Sequence, residues 1–243
     1  MTRLLENKVA IVTGSSRGLG LAISGALGVD GAKVLVVSRS AERARDASAR
    51  VEALGGNAAP CVADLTRLGS ADIVVKEALD CFGGVDILVN CAGVFLWKPF
   101  LDVSFEEWHQ VLSTNLTAAF VLTQKVAEVM IDQGRGGSII NIGSVHGLVG
   151  ESSAVPQCAS KFGLMGLTRA TAEALREFDI RVNAVASGAM EPDSADHRGE
   201  SPREKITQAD VATLVVYLAS DLARSLTGGV MEAFGSTRFL IKT

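Results

Sequence analysis

Val9-Ala10-Ile11-Val12-Thr13-Gly14-Ser15-Ser16-Arg17-Gly18-Leu19-Gly20 decides the fold. A short β-branched run meets three glycines, and a segment of helical length follows. This predicts a buried strand, a tight turn and a helix N-terminus. Glycine lets the backbone take φ > 0 and lets a ligand come close where a Cβ would clash. The first free N–H groups of the helix, with the positive end of its dipole, then face that ligand. An anion fits there, most naturally the pyrophosphate of a dinucleotide. The spacing is Gly-x-x-x-Gly-x-Gly, not the commoner Gly-x-Gly-x-x-Gly. Taken alone, such a turn also joins an ordinary strand to a helix. Its place at the head of an alternating chain favours the ligand.

The alternation runs through the whole chain. A helix is predicted over 19–30, with Gly31 as its stop. Residues 33–38 (KVLVVS) form a continuous apolar strand, as expected where helices cover both faces of a parallel sheet. A helix over 41–54 and a strand over 58–62 follow, the strand ending at Asp64. A helix over 70–82 and a strand over 85–89 lead into Asn90-Cys91-Ala92-Gly93. Ser104 with Glu107 makes a capping box for one long helix reaching about residue 133. Then come a strand over 138–142, a helix over 155–178 and a strand over 181–185. Residues 187–206 are polar and irregular and lie after a strand's carboxyl end, where such sheets bind ligands. They read as a substrate lid or as a plain surface loop. Thr207 with Asp210 caps a helix to 219, and 230–234 suits a seventh strand. The whole, 1–243, reads as a single doubly wound α/β domain with a parallel sheet flanked by helices.

Composition agrees. Of 243 residues, 48% are apolar and 21% charged, enough for one domain with a sizeable core. The net charge is −4 with no basic stripe, so nucleic acid is not an expected partner. No run approaches the ~20 apolar residues of a membrane span. The first strand begins within ten residues of Met1, which leads us to expect no signal peptide. Cys61, Cys81, Cys91 and Cys158 show no Cys-x-x-Cys pairing. They suit the reduced thiols of a cytoplasmic protein, with no metal site.

The chain resembles the short-chain dehydrogenase/reductase family over essentially its whole length. The resemblance is carried by Thr13-Gly14-x-x-x-Gly18-x-Gly20, Asp64, Asn90-x-Ala92-Gly93, Asn115, Ser144 and Lys161. Each is weak alone; in this order and spacing they are jointly specific. The family implies a seven-stranded Rossmann-like sheet, a nicotinamide cofactor, a small-molecule substrate and a homotetramer. Its cofactor positions fall on Gly14, Ser16, Arg17, Gly18, Leu19 and Gly20 of the glycine turn, and on Ser38 and Arg39 after the second strand. Asp64, Leu65, Asn90, Ala92, Gly93, Lys161 and Met190 complete the set. Dinucleotide folds that hold NAD place a carboxylate about 20 residues after the glycine turn. Here that place reads Ser38-Arg39. Arg17 adds a second cation, and two guanidinium groups suit a ribose 2′-phosphate. NADP(H) is therefore expected over NAD(H), although Arg39 read alone is a solvated residue opening a helix.

At the reactive end the family's proton comes from a tyrosine four residues before the lysine. That spacing puts both on one helix face. Ser144 matches the family's serine, Asn115 the asparagine of its proton relay, and Lys161 its lysine. The tyrosine position is Gln157. The one tyrosine of the chain, Tyr217, lies in an apolar run and suits the core. A glutamine amide donates a hydrogen bond but has no proton titrating near neutral pH. Other departures are Ser187-Gly188 for Pro-Gly, Pro192 for a threonine, and Phe234-Gly235-Ser236 near the end. His146 is the evident ionisable side chain near the site, as a proton source or as a rim residue shaping substrate fit. Two functions follow. One is an NADP(H)-dependent oxidoreductase with an altered proton path, acting on a carbonyl, imine or activated alkene. The other is a catalytically silent subunit paired with an active paralogue in a hetero-oligomer.

Overall fold

A computed structural model describes residues 3–188 and 206–234. Seven parallel strands form one sheet in the order β3-β2-β1-β4-β5-β6-β7. In chain order they are β1 Val9–Thr13, β2 Lys33–Ser38, β3 Asn57–Val62, β4 Ile87–Asn90, β5 Gly137–Ile142, β6 Ile180–Ser187 and β7 Val230–Ala233. The helices are α1 Gly18–Val29, α2 Ala41–Ala53, α3 Ser70–Phe82, α4 Phe105–Leu112, α5 Ala118–Gln133, α6 Val155–Ala174 and α7 Gln208–Ala219.

Successive side chains of a strand point to opposite faces, so a strand covered on both sides must be apolar throughout. β1 shows this. Ala10 and Val12 pack in one core with Ile23 and Leu27 of α1 and Val211 and Val215 of α7. Ile11 packs in the other with Val74 of α3 and Leu122, Val126 and Met130 of α5. Pro60 can sit in β3 because that strand forms the sheet edge, where one row of N–H groups has no ladder to join.

The chain leaves β1 for β2 on one side and returns through β4 on the other. At this switch point the connections diverge and open a crevice at the strands' carboxyl ends. The predicted elements are found with shifted ends. β4 begins at Ile87 because Val85 N–H is taken by the Gln133 side chain at 2.9 Å. The single helix expected over 104–133 is two helices joined by one π-helical turn, Ser113–Thr117. The helix expected over 155–178 ends at Ala174, with a separate 3₁₀ turn at Arg176–Phe178. Tyr217 is 39% exposed on α7 and does not belong to the core. Of the expected lid over 187–206, only Ser187, Gly188 and Ile206 lie within the described residues; Met190 and Pro192 lie outside them. Among the described residues no helix is long and apolar enough to cross a membrane.

Candidate active site

The glycine turn is locked to β4 by one hydroxyl. Thr13 Oγ1 accepts from Cys91 N–H (2.9 Å) and Ala92 N–H (3.0 Å), and lies 3.3 Å from Val89 O, to which it donates. The two strand ends are thereby held so close that a Cβ on Gly14 would come 2.7 Å from Ala92 Cα. Gly14 also has φ +64, so glycine is required there twice over. α1 opens just beyond, behind Arg17, whose extended backbone forms the N-cap without a side-chain cap bond. Among the described residues the leading N–H groups of α1 find no side-chain partner, as a helix N-terminus facing an anion would have it.

The turn forms one end of a cleft of about 1130 Å³. Gly14, Ser16, Arg17, Gly18, Leu19 and Gly20 line it, as do Ser38, Arg39, Asp64, Leu65, Ala92 and Gly93. Arg43, not anticipated from the sequence, joins Arg17 and Arg39 there. Its signal was available: it lies four residues after Arg39, at the first turn of α2, which Ser40 caps by accepting from Arg43 N–H. Asp64 is the one carboxylate among the described lining residues. It accepts from Thr66 Oγ1 at 2.7 Å and Thr66 N–H at 3.1 Å, and these bonds hold it below the usual carboxylate range. Asn90 does not line the cleft. Its amide donates to Thr123 Oγ1 and Asn141 Oδ1 in the buried interior, so its side chain ties β4 to β5 and α5.

At the other end of the cleft, α6 starts with Pro156 in its first turn, a position that suits proline's fixed φ and missing N–H. Gln157 and Lys161 then fall one turn apart on the face that lines the cleft. Lys161 is 7% exposed and donates to Ile142 O at 2.7 Å. Burial pulls its pKa down to about 8. Cys91, also on the cleft, is pushed up to about 11 by burial and stays a neutral thiol. The turn Ser144–Gly147 is pressed onto this helix: a Cβ on Gly147 would meet Lys161 O at 2.9 Å. Ser144 Oγ accepts from His146 N–H at 3.3 Å and lies 3.1 Å from His146 Nδ1. Burial holds the imidazole below the usual histidine pKa, with Glu151 opposing.

Asn115 sits behind the cleft wall in the π-helical turn, 2% exposed. Its Oδ1 accepts from Val94 N–H at 2.8 Å. Its Nδ2 donates to Val94 O at 3.0 Å and to Gln157 Oε1 at 2.9 Å. The site therefore joins Asn115 to Gln157 directly, places Lys161 one helical turn on, and sets the Ser144–Gly147 turn against that helix. An aromatic wall completes it. Phe95 and Trp97 stack with centroids 5.7 Å apart, and both meet the His146 ring edge-on. These two side chains were not picked out from the sequence, where a pair of rings two residues apart after a strand was the only signal. Among the described residues no group of His, Cys, Asp and Glu gathers to hold a metal ion.

Comparison with known proteins bears on this arrangement. Residues 8–203 match the family described as short chain dehydrogenase. L-Rhamnose 1-dehydrogenase (NAD(P)(+)) of Azotobacter vinelandii is 36% identical over 248 residues, covering 96% of this chain and 97% of that protein. The 3-oxoacyl-[acyl-carrier-protein] reductase FabG of Aquifex aeolicus is 36% identical over 242 residues, covering 95% and 97%. Among solved structures, a short-chain type dehydrogenase/reductase from Mycobacterium marinum superposes with a TM-score of 0.89 at 28% identity, covering 96% of each chain. With its seven-stranded sheet and a full-length match to named dehydrogenases and reductases, the chain belongs to the short-chain dehydrogenase family.

Proposed function

We propose that the chain is an oxidoreductase that binds NADP(H) in preference to NAD(H) and reduces a small carbonyl, imine or activated alkene by an altered proton path. The observation that carries this is the single cleft that runs from the glycine turn to Ser144, Gln157 and Lys161. The glycine turn, with the uncapped N-terminus of α1 beyond it on the cleft, suits the cofactor's pyrophosphate. Arg17, Arg39 and Arg43 supply three guanidinium groups where a 2′-phosphate would lie, and no carboxylate stands at the end of β2. Lys161 would hold the nicotinamide ribose, and the bound nicotinamide would supply the hydride. The relative's printed name, with NAD(P)(+), agrees with a nicotinamide cofactor.

Gln157 occupies the place of the family's tyrosine and brings no titrating proton. Its role here is to orient substrate. Ser144 polarises the acceptor. His146, neutral near pH 7, passes a proton from water through the hydroxyl it contacts at 3.1 Å. The free thiols favour a cytoplasmic protein. Exposed apolar residues on α4, α5 and α6 favour a homotetramer. The test is NADPH oxidation by the purified chain against a panel of ketones, imines and enones. Turnover with any of them supports the assignment. NADPH binding without turnover, together with copurification of a second chain bearing Tyr-x-x-x-Lys, favours the silent subunit of a hetero-oligomer instead.

A further inference from the structure

The hydrogen-bond polarity of the site can be followed from the backbone outward. Val94 N–H can only donate, so the atom of Asn115 facing it is Oδ1. The other end of that amide is Nδ2, which donates to Val94 O and Gln157 Oε1. The oxygen of Gln157 thereby faces Asn115, and its Nε2 is turned the other way. Among the described residues no buried side-chain nitrogen or oxygen lacks a partner, and Nε2 has no partner among those residues. Gln157 is 5% exposed, and the space it touches is the cleft. The amide thus turns its N–H groups toward a ligand in the cleft.

Its neighbours in the cleft have the same sign. When His146 Nδ1 carries its proton, Ser144 Oγ accepts from both His146 N–H and Nδ1–H, and its own hydrogen is left for a ligand. Lys161 is a third donor, one turn from Gln157. With that tautomer the corner is rich in donors and favours an oxyanion. Which oxyanion follows from the missing acid. An alkoxide is a base close to hydroxide and needs a proton as it forms. A conjugated oxyanion of the phenol type has a conjugate acid near about 10 and can be held by hydrogen bonds alone. The adjoining wall of Phe95 and Trp97 offers a flat ring face.

We propose that Gln157 Nε2 and the Ser144 hydroxyl clamp the oxygen of a flat, conjugated carbonyl compound and hold the enolate formed when hydride enters at its β-carbon. The proposal rests on the oxidoreductase assignment above. The hydride pair makes the new C–H bond at the β-carbon, the C=C pair moves between the α- and carbonyl carbons, and the C=O pair moves onto oxygen. NADPH is oxidised to NADP⁺ in that step. The α-carbon later takes a proton from water, releasing hydroxide to solvent.

A stable phenolate mimics the enolate without turnover. 4-Nitrophenol is titrated into the full chain and its ionisation followed by absorbance, with NADPH binding followed separately by fluorescence. We expect the bound probe to ionise about one pH unit or more below the free probe. Gln157→Met removes the donor without adding charge. Gln157→Glu keeps an oxygen for Asn115 and removes the N–H groups. Both should return the ionisation close to that of the free probe while NADPH still binds. A probe that ionises in either variant as it does in the unaltered chain overturns the clamp, since Lys161 alone would then hold the anion. NADPH binding with no effect on the probe defeats the clamp and leaves the oxidoreductase assignment standing. A shifted probe with no NADPH binding defeats that assignment and keeps the oxyanion site.

Discussion

Gln157 is the residue on which the chemistry turns. Placed one helical turn from Lys161 and beside Asn115, it stands where a proton donor is expected and supplies only an amide. Gln157→Tyr should therefore raise reduction of simple ketones by about 10²–10⁴-fold, the worth of a positioned acid. In a Lys161→Ala background the same tyrosine should give little. Steady-state kinetics with a ketone panel measures this, and a fall in a measurable native activity would mean that the amide itself is required. Lys161 carries a second, thermodynamic signature. Its pKa of about 8 in the folded chain lies below the value of about 10.4 for free lysine. Between those values the unfolded chain binds more protons, so stability rises with pH across that window, and the cost of the buried cation is fully present below it. Relative to Lys161→Met, the unaltered chain should gain up to about 3 kcal/mol between about pH 8 and about pH 10.4. Urea unfolding of both proteins at the two ends of the window checks it. A constant difference would contradict the buried charge.

At the scale of elements, the π-helical turn Ser113–Thr117 is what delivers Asn115 to the site. An uninterrupted helix would continue the i→i−4 ladder; the extra residue of the π turn marks a local departure of the kind found at functional sites. Asn115→Ala leaves Val94 N–H and Gln157 Oε1 without their partner in a buried place. It should cost about 1–3 kcal/mol, read as a lower Tm, and free the Gln157 amide to turn over. An unchanged Tm would mean that water replaces the asparagine. The elements themselves were largely legible from periodicity and caps. Both capping boxes, Ser104 with Glu107 and Thr207 with Asp210, are formed. The π turn left no trace, because its five residues, STNLT, satisfy a helical pattern as well as α4 and α5 do. The glycine-turn end of the cleft, with Arg17 and Arg39 on its lining, was legible in glycine spacing and charge. The side chain of Asn90 turns away from the cleft, which a sequence does not say of a strand-end residue, because the amide oxygen of Asn141 and the hydroxyl of Thr123 take it. The aromatic wall and the amide relay depend on contacts between residues far apart in the chain, beyond the reach of any local pattern.

At the scale of the molecule, two cores sandwich the sheet and leave an apolar surface outside them. Phe105, Trp108, Phe120, Val121 and Phe162 on α4, α5 and α6 are all at least 36% exposed. Exposed apolar residues on three helices suit pairing of copies about a two-fold axis. Light scattering at micromolar concentration should give a tetramer, and Phe162→Asp should yield smaller species; a monomeric unaltered chain would contradict the surface's role. The central proposal is that one cleft takes a phosphorylated dinucleotide, with Arg17, Arg39 and Arg43 among its lining residues. Its most direct test is equilibrium titration of the chain with NADPH and with NADH at one fixed salt concentration, read by cofactor fluorescence. NADPH should bind the more tightly, and Arg39→Asp should reverse the order. Equal affinities, or tighter binding of NADH by the unaltered chain, would contradict the account.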